Sequence, residues 1–461
     1  MSTYEELRSR HAADAAAALP EMLARLDWPA DRLAEHRTAE LRRLVRVARD
    51  LSPWHRKRLA EVHPDEIDEA TLAQLPVMTK DDLMEHFDEI VTDERLRRSV
   101  VEDHLDALAA GGSPYLFDRY QACASGGSSG VRGVFVYDWP GLVTAYWSCL
   151  RHLFRAARVD PAQASAPQRP VMVAAGAPTH VTASWLRTFA GPQLPWRFAP
   201  ATLPVAQRVA LLNEVRPTTL AGYPTALHEL AREAQAGRLR IRPVQLVATG
   251  EPLLPEVRTE LERTFGANVG NAYATSEAGG LATLCGRPES PWLHLAEDTT
   301  IVEPVDAAGA RVGPGVCSDK IFLTNLYNHA LPLIRYEVTD QVTVLDGACG
   351  CGCAHRRIAD PLGRLDDVFD YGGVTVHPHV FRAALSRHRE ILEYQVRQTP
   401  TGASVAARCT GALDTAGVAG EIAAALGRVG VPDARVEVTP VERIERPASG
   451  KLVRFVPLRG A

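Results

Sequence analysis

Lysine is scarce in this chain: of its 51 basic residues only Lys57, Lys80, Lys320 and Lys451 are lysines. Charge of one sign is also lacking, because 51 basic residues face 56 acidic ones and leave a net charge of −5. That mild balance argues against nucleic acid or an anionic membrane surface as the main partner. No apolar run reaches membrane-spanning length, and Met1–Arg10 is polar and charged, so neither a membrane span nor a secretory leader is expected. Cysteine is sparse too. Eight Cys in 461 residues do not make a disulfide framework and fit a reducing, cytoplasmic location. No internal repeat or low-complexity linker interrupts the sequence. What remains is a globular composition, 46% hydrophobic and 23% charged, long enough for two or three domains with a large core.

The first hundred residues read as helical. Apolar residues recur at helical spacing from Glu21 to Leu51, and Thr79-Lys-Asp-Asp82 before Leu83 and Met84 has the form of a helix start. From about residue 170 strands and helices alternate. Strands are predicted at Val171–Ala175 and Val244–Thr249, and helices at Leu203–Val215, Pro224–Gln235 and Leu254–Phe265, the last stopped by Gly266. Such alternation predicts an α/β fold with a parallel or mixed sheet. After Gly280 the pattern turns β-rich, with strands near Ile301–Glu303, Lys320–Thr324 and Gln341–Leu345. A small α+β unit follows Gly363. Its strands are placed at Glu393–Arg397, Ser404–Arg408 and Arg435–Val441, with a helix at Val418–Leu426. The expected division is a large domain over 1–365 and a small mobile lid over 366–461.

Several segments carry residue types suited to nucleotide chemistry. Ser125-Gly-Gly-Ser-Ser-Gly130 follows an irregular stretch and precedes the strand-like Val134–Tyr137. Backbone N–H groups and hydroxyls of such a loop can wrap phosphate oxygens, although no Gly-Lys-Ser/Thr follows to make it a Walker loop. Gly250-Glu-Pro252 comes just after a predicted strand, where open α/β sheets bind ligands. In Tyr273-Ala-Thr-Ser-Glu277 an aromatic ring, a hydroxyl and a carboxylate could meet a base, a phosphate and Mg²⁺. Arg335 and Asp340 lie in Leu331–Asp340, with the Asp at a strand end where it could take both ribose hydroxyls. Gly363-Arg-Leu-Asp-Asp367 joins the two units and permits rotation, and Lys451 sits behind Ser449-Gly450 near the end.

Together and in order, these segments resemble the acyl-adenylate-forming superfamily, and within it most closely the phenylacetate–CoA ligase family. The resemblance runs from Leu51–Leu59 and Leu75–Leu83 to Lys451, about nine-tenths of the chain. Its most specific pieces are Tyr273–Gly280, Leu331–Asp340, His355-Arg-Arg-Ile358 and Gly363–Asp367. It implies that Ser125, Gly127, Ser128, Ser129 and Gly130 form a phosphate loop. It further implies that Gly250, Glu251 and Pro252 border an adenine on which Tyr273 stacks. Ser276 would touch the α-phosphate and Glu277 would hold Mg²⁺. Asp340 would bind the ribose with help from Arg364, and Asp366 would be the hinge. Lys451 would bridge carboxylate and α-phosphate during adenylation and then withdraw as the lid turns for thioester formation. Where the family loop commonly reads Thr-Thr-Gly-Lys-Pro, this chain has Ser128-Ser-Gly-Val-Arg132, so Val131 replaces the loop lysine.

The resemblance also gives the cysteines a place. Zinc-bearing members of the family carry a Cys and a His where Cys285 and His294 stand, and Cys349 and Cys351 would complete a closed tetrahedral Zn²⁺ site. Cys353 is the alternative to Cys349. For the acid, His180, Trp185, Tyr223 and Ala274 are the candidate contacts. The expected activity is AMP-forming activation of an aryl or arylacetic acid with ATP and Mg²⁺, followed by transfer to CoA. A carrier-protein phosphopantetheine or an amine is the alternative acceptor, and a non-catalytic acyl- or nucleotide-binding relative is a third reading. A homodimer through the large domain is compatible with this reading.

Overall fold

The computed structural model describes residues 3–125, 133–159, 168–174, 176–191, 195–285, 287, 290–361, 363–364, 368–376, 378–385, 387–388, 390–446 and 451–458, with backbone only at 155–159, 364 and 379. The periodic stretch read as a helix from Glu21 onward is two helices, Tyr4–Ala24 and Ala30–Leu51. Pro29 separates them. A residue before proline is pushed out of the α region, and Trp28 is accordingly extended, at φ −68° and ψ 140°. The predicted start at Thr79 is a capping box, in which Thr79 Oγ1 accepts from the Asp82 N–H and the Asp82 carboxylate accepts from the Thr79 N–H.

Among the described residues the large unit is organised around a nine-stranded mixed sheet. Arg197–Phe198, Pro170–Val173, Thr219–Gly222, Gln245–Thr249 and Asn268–Thr275 run parallel, joined through helices. Gly279–Leu284, Leu293–Leu295, Arg357–Ile358 and Val344–Leu345 continue it antiparallel. The stretch predicted as one strand over Gln341–Leu345 is split. Asp340–Gln341 pairs with Gly363–Arg364, whereas Val344–Leu345 joins the large sheet. A separate three-stranded sheet holds Thr300–Val305, Lys320–Asn325 and Tyr336–Val338.

The helix Trp139–Val159 lies across the antiparallel part of the sheet, and glycine allows the contact. A Cβ on Gly280 would stand 2.6 Å from the backbone of Ser148, whose hydroxyl accepts from the Gly280 N–H. The N-terminal helix covers the outer face of the same helix. Trp147 Nε1 donates to the Ala15 carbonyl at 2.7 Å, and Arg151 Nη1 donates to the Met22 carbonyl at 3.1 Å. Arg151 also forms a two-pronged pair with Asp298, at 2.6 and 2.5 Å, and both side chains are almost wholly buried. Arg151→Met should cost about 3–5 kcal/mol by stranding the Asp298 charge. Adding Asp298→Leu should recover most of that loss in urea denaturation. A single variant as stable as wild type would show that the pair is not desolvated as observed.

Several buried imidazoles are held neutral inside the large unit, His11, His55 and His152 among them. Burial lowers His11 to about 4, and burial reinforced by neighbouring arginines, Arg58 and Arg151 respectively, lowers His55 and His152 to about 3. The unfolded chain protonates these groups below about pH 6.5, so the stability they contribute at neutral pH is lost as pH falls toward 3–4. At pH 5 the loss is about 2 kcal/mol for each, a sum comparable with the stability of a typical domain. The melting temperature should hold above pH 7 and fall steeply between pH 6.5 and 5. A flat profile would contradict this.

From Phe369 onward a second hydrophobic core forms around Phe369, Phe381, Val396, Ile422 and Phe455. Its sheet orders Arg435–Pro440, Gly402–Cys409, Ile391–Thr399 and Phe455–Val456, backed by the helix Thr415–Arg428. All three strands and the helix expected here are present; the first two strands and the helix are a few residues longer than their sequence pattern indicated, and the last strand ends one residue sooner, at Pro440.

Candidate active site

The Ser/Gly segment is the connection of a β-hairpin. Tyr120–Ala124, read from sequence as irregular, is a strand paired antiparallel with Val134–Asp138. All five of its residues are buried, so it shows none of the in–out alternation by which a strand is recognised. Ser125 and Gly133 close the neck of the loop. The Ser125 N–H donates to the Gly133 carbonyl, and the Gly133 N–H donates to Ser125 Oγ, each at 2.9 Å. Gly127, Ser128, Ser129, Gly130 and Val131 lie outside the described residues.

The turn Ser276–Ala278 joins Asn268–Thr275 to Gly279–Leu284 and is tied to this hairpin. Tyr137 Oη, from the second hairpin strand, donates to the Ser276 carbonyl at 2.7 Å. Asn325 Nδ2 donates to the Glu277 carbonyl at 2.9 Å, and Asn328 Nδ2 reaches the Val136 carbonyl at 3.0 Å. With both backbone carbonyls of the turn engaged, the Glu277 carboxylate is half-buried beside Cys123 and Tyr137. Burial, and then the Glu277 charge, push both of those groups above their ordinary range. Tyr137, Asn325 and Asn328 did not emerge from the sequence, because polar residues in a β-rich stretch carry no signature of what they hold.

Two further clusters form at the same end of the sheet. Tyr273 Oη donates to Asp340 Oδ2 at 2.7 Å, and Asp340 stands directly opposite Arg364 in strand register. The segments expected to meet base and ribose are therefore neighbours. Arg335, from the same motif as Asp340, is structural: at φ 51° it pairs with Glu303 at 3.1 Å and lies over the Phe322 ring.

The second cluster gathers around Lys451. Its Nζ lies 5.8 Å from the centroid of the Tyr223 ring. Gly250, at φ +75°, brings its backbone against both: a Cβ there would meet the Tyr223 ring at 2.8 Å and Lys451 Cε at 3.5 Å. His180 caps the helix Val181–Phe189 by accepting from the Thr182 N–H, and burial, then the charge of Lys451, lower it to about 3. The Glu251 carboxylate serves a purpose its motif does not indicate. It accepts the Leu452 N–H at 2.9 Å and the Thr225 N–H at 3.2 Å, clasping the residue after Lys451 to the start of the helix Pro224–Gln235. Arg408 strengthens the clasp between the units, reaching Glu229 at 3.4 Å and Glu393 at 3.2 Å. Asp366 lies outside the described residues.

The sheet and two helices enclose an apolar cavity. Of the candidate acid contacts, Trp185 and Ala274 line it and His180 and Tyr223 do not, while Cys149, His152, Trp196 and Val247, which the sequence reading did not single out, do. Tyr146, Cys149, Leu150 and Leu153 follow helical spacing along one face, and that pattern alone reads as ordinary core.

The cysteine cluster sits at the far side of the sheet. Cys285, His294, Cys349 and Cys351 bring their donor atoms within 4.8 Å of one another. Cys285 Sγ and Cys349 Sγ are 3.7 Å apart, and Cys351 Sγ is 3.3 Å from His294 Nε2. Tetrahedral zinc with sulfur at about 2.3 Å and nitrogen at about 2.0 Å spaces its ligand atoms by about 3.5–3.8 Å, so the donor set fits that ion. His294 Nδ1 is engaged by the His355 carbonyl at 2.9 Å, which leaves Nε2 facing the thiols. Hydrogen bonding to Cys351, and to His294 against the penalty of burial, draws the Cys285 thiol below its ordinary range. The four-residue set contains Cys349, while Cys353 donates its N–H to Cys351 Sγ at 3.4 Å.

Comparison with known proteins agrees with this geometry. Residues 151–312 match the model of the AMP-binding enzyme family. The chain is 29% identical over 196 residues to a phenylacetate-coenzyme A ligase of Thermus thermophilus, and 26% identical over 193 residues to one of Pseudomonas putida. Each match covers 41% of this chain and 44% or 43% of the relative, so the chain spans less than half the length of these curated relatives. A solved 2-hydroxyisobutyryl-CoA ligase in its postadenylation state shares the fold, with a TM-score of 0.70 and 20% identity, covering 94% of this chain and 91% of that one. By sequence, part of the chain is thus similar to AMP-binding enzymes and to phenylacetate-coenzyme A ligases, and its fold is that of the solved ligase.

Proposed function

We propose that this protein is an AMP-forming ligase that activates a carboxylic acid with ATP and transfers the acyl group to CoA. The observation that carries the reading is the position of Lys451, its ammonium 5.8 Å from the centroid of the Tyr223 ring and its neighbour Leu452 clasped by Glu251. In the first step a carboxylate oxygen attacks the α-phosphorus and pyrophosphate leaves. In the second the CoA thiol attacks the acyl carbon and AMP departs. The first step brings anions together, and a fixed ammonium at that point stabilises the charge as it develops.

The other residues take roles around this centre. Ser276 contacts the α-phosphate, and the loop of Ser125, Gly127, Ser128, Ser129 and Gly130 holds the outer phosphates. Tyr273 stacks on the adenine beside Gly250, Glu251 and Pro252, while Asp340 and Arg364 take the ribose. Glu277 is the protein carboxylate for Mg²⁺, which would neutralise phosphate charge. The unit from residue 366 is a lid turning at Asp366, and the Glu251, Glu229 and Arg408 contacts hold it in the adenylation position. Cys285, His294, Cys349 and Cys351 hold a structural Zn²⁺ that pins the strand ends they lie on. The apolar walls and the aromatic Trp185 favour an aromatic acid, in keeping with the phenylacetate-coenzyme A ligases the chain resembles.

The test is pyrophosphate release from ATP and Mg²⁺ across benzoic, anthranilic, hydroxybenzoic and arylacetic acids, with and without CoA. Acid-dependent release that rises with CoA is expected. Release from an acid that CoA does not accelerate would point to a different acceptor, and no release with any acid would refute the reading.

A further inference from the structure

The cavity lined by Trp185 and Ala274 has apolar walls, yet three of its side chains carry polar nitrogens. His152, Trp185 and Trp196 all line it, at 4%, 6% and 7% exposure. Among the described residues Trp185 Nε1 and Trp196 Nε1 have no hydrogen-bond partner, and neither ring nitrogen of His152 has one at hydrogen-bond geometry, the Cys149 carbonyl being the backbone group that bears on the ring. The three come from separate places: the helix Trp139–Val159, the helix Val181–Phe189, and the segment just before the strand Arg197–Phe198. Buried donors are ordinarily paired, and leaving one without an acceptor is costly. Three gathered from distant parts of the sequence onto one cavity make a polar site within apolar walls. Small-molecule sites are commonly built this way, with a few polar groups fixing orientation.

The chemistry of the three groups narrows the ligand. An indole N–H only donates, and a neutral imidazole offers one N–H and one lone pair. His152 is held neutral by burial and by the charge of Arg151 beside it, against the opposing pull of the Cys149 carbonyl one turn back. Among the described residues no cation lining the cavity awaits a second carboxylate, and Arg151 next to His152 is committed to Asp298. An uncharged oxygen suits the set: it accepts from the indoles and, when it is a hydroxyl, donates to the imidazole. We propose that the acid bound here carries, at the end remote from its carboxylate, an uncharged oxygen substituent (hydroxyl, carbonyl or ether) read by Trp185, Trp196 and His152. This rests on the adenylation reading for the placement of the carboxylate toward Lys451.

The experiment compares acids matched in shape on benzoic and arylacetic frames, bearing a distal hydroxyl, methoxy or acetyl group, a methyl group, or a second carboxylate. Binding is read by quenching of tryptophan fluorescence, and turnover by pyrophosphate release. A site built to pair with a polar group rejects an analogue lacking it far more strongly than an apolar pocket rejects one methylene. On that basis an oxygen-bearing acid should exceed its methyl counterpart by about 100-fold or more in kcat/KM. In Trp196→Phe, and separately in His152→Leu, that ratio should shrink by about tenfold or more, a change that general destabilisation would not produce. Methyl or dicarboxylic acids that equal or surpass the oxygen-bearing ones in wild type would overturn the proposal, as would a ratio unchanged in both variants. Selective binding of oxygen-bearing acids without pyrophosphate release would uphold the pocket and reject adenylation. Release without oxygen selectivity would do the reverse.

Discussion

Alanine in place of Lys451 lowers acid-dependent pyrophosphate release by about 10²–10³-fold, the usual cost of removing one fixed group that stabilises transition-state charge. The loss is expected in kcat more than in KM, because the ammonium matters most as negative charge gathers at the α-phosphorus. Formation of thioester from supplied acyl-adenylate and CoA should change little if Lys451 withdraws before that step, as proposed. Lys451→Arg should not restore the rate. A planar guanidinium does not substitute for a compact ammonium seated 5.8 Å from the Tyr223 ring centroid and packed against Gly250. Equal losses in both half-reactions would assign Lys451 to holding the fold instead. Unaltered pyrophosphate release would remove it from the chemistry.

The second large effect concerns the thiolate cluster. Purified protein should contain one zinc per chain, released by a thiol-blocking reagent and abolished in Cys285→Ser or His294→Ala. Structural zinc contributes about 10–16 kcal/mol to small zinc-finger peptides at neutral pH, more than most domains have in reserve. Even a fraction of that here should lower the melting temperature by more than about 10 °C on chelation, and added zinc should restore it. The strand Leu293–Leu295, which carries His294, lies between Gly279–Leu284 and Arg357–Ile358, so its loosening should propagate toward the Ser276–Ala278 turn. Metal-free protein with undiminished stability would show that the four ligands do not hold an ion.

The sequence carried the site unevenly, and the reasons are physical. The cluster at Cys285, His294, Cys349 and Cys351 was legible because three cysteines crowd into Cys349–Cys353 and the family resemblance supplies a Cys and a His upstream, at Cys285 and His294. Choosing Cys349 over Cys353 required geometry, namely the 3.7 Å separation from Cys285. The neighbourhood of Tyr273, Asp340 and Arg364 followed from motif order. The Glu251–Leu452 clasp did not, because its partners are 201 positions apart and one contributes only a backbone N–H. Periodicity failed at Tyr120–Ala124, which is buried on both faces, and at Trp28–Pro29, where a helical pattern continues across a proline break. His152 was hidden for a related reason: a lone histidine in an apolar helical stripe looks like core until its nitrogens are found without hydrogen-bond partners among the described residues.

The most direct test of adenylation follows an oxygen atom. Acid labelled with ¹⁸O in its carboxylate is incubated with the protein, ATP, Mg²⁺ and CoA, and the products are weighed by mass spectrometry. If the carboxylate attacks the α-phosphorus, one labelled oxygen appears in AMP and none in pyrophosphate. Label in inorganic phosphate with release of ADP would mean attack at the terminal phosphorus, and would contradict the role given to Lys451 and to the site built around it.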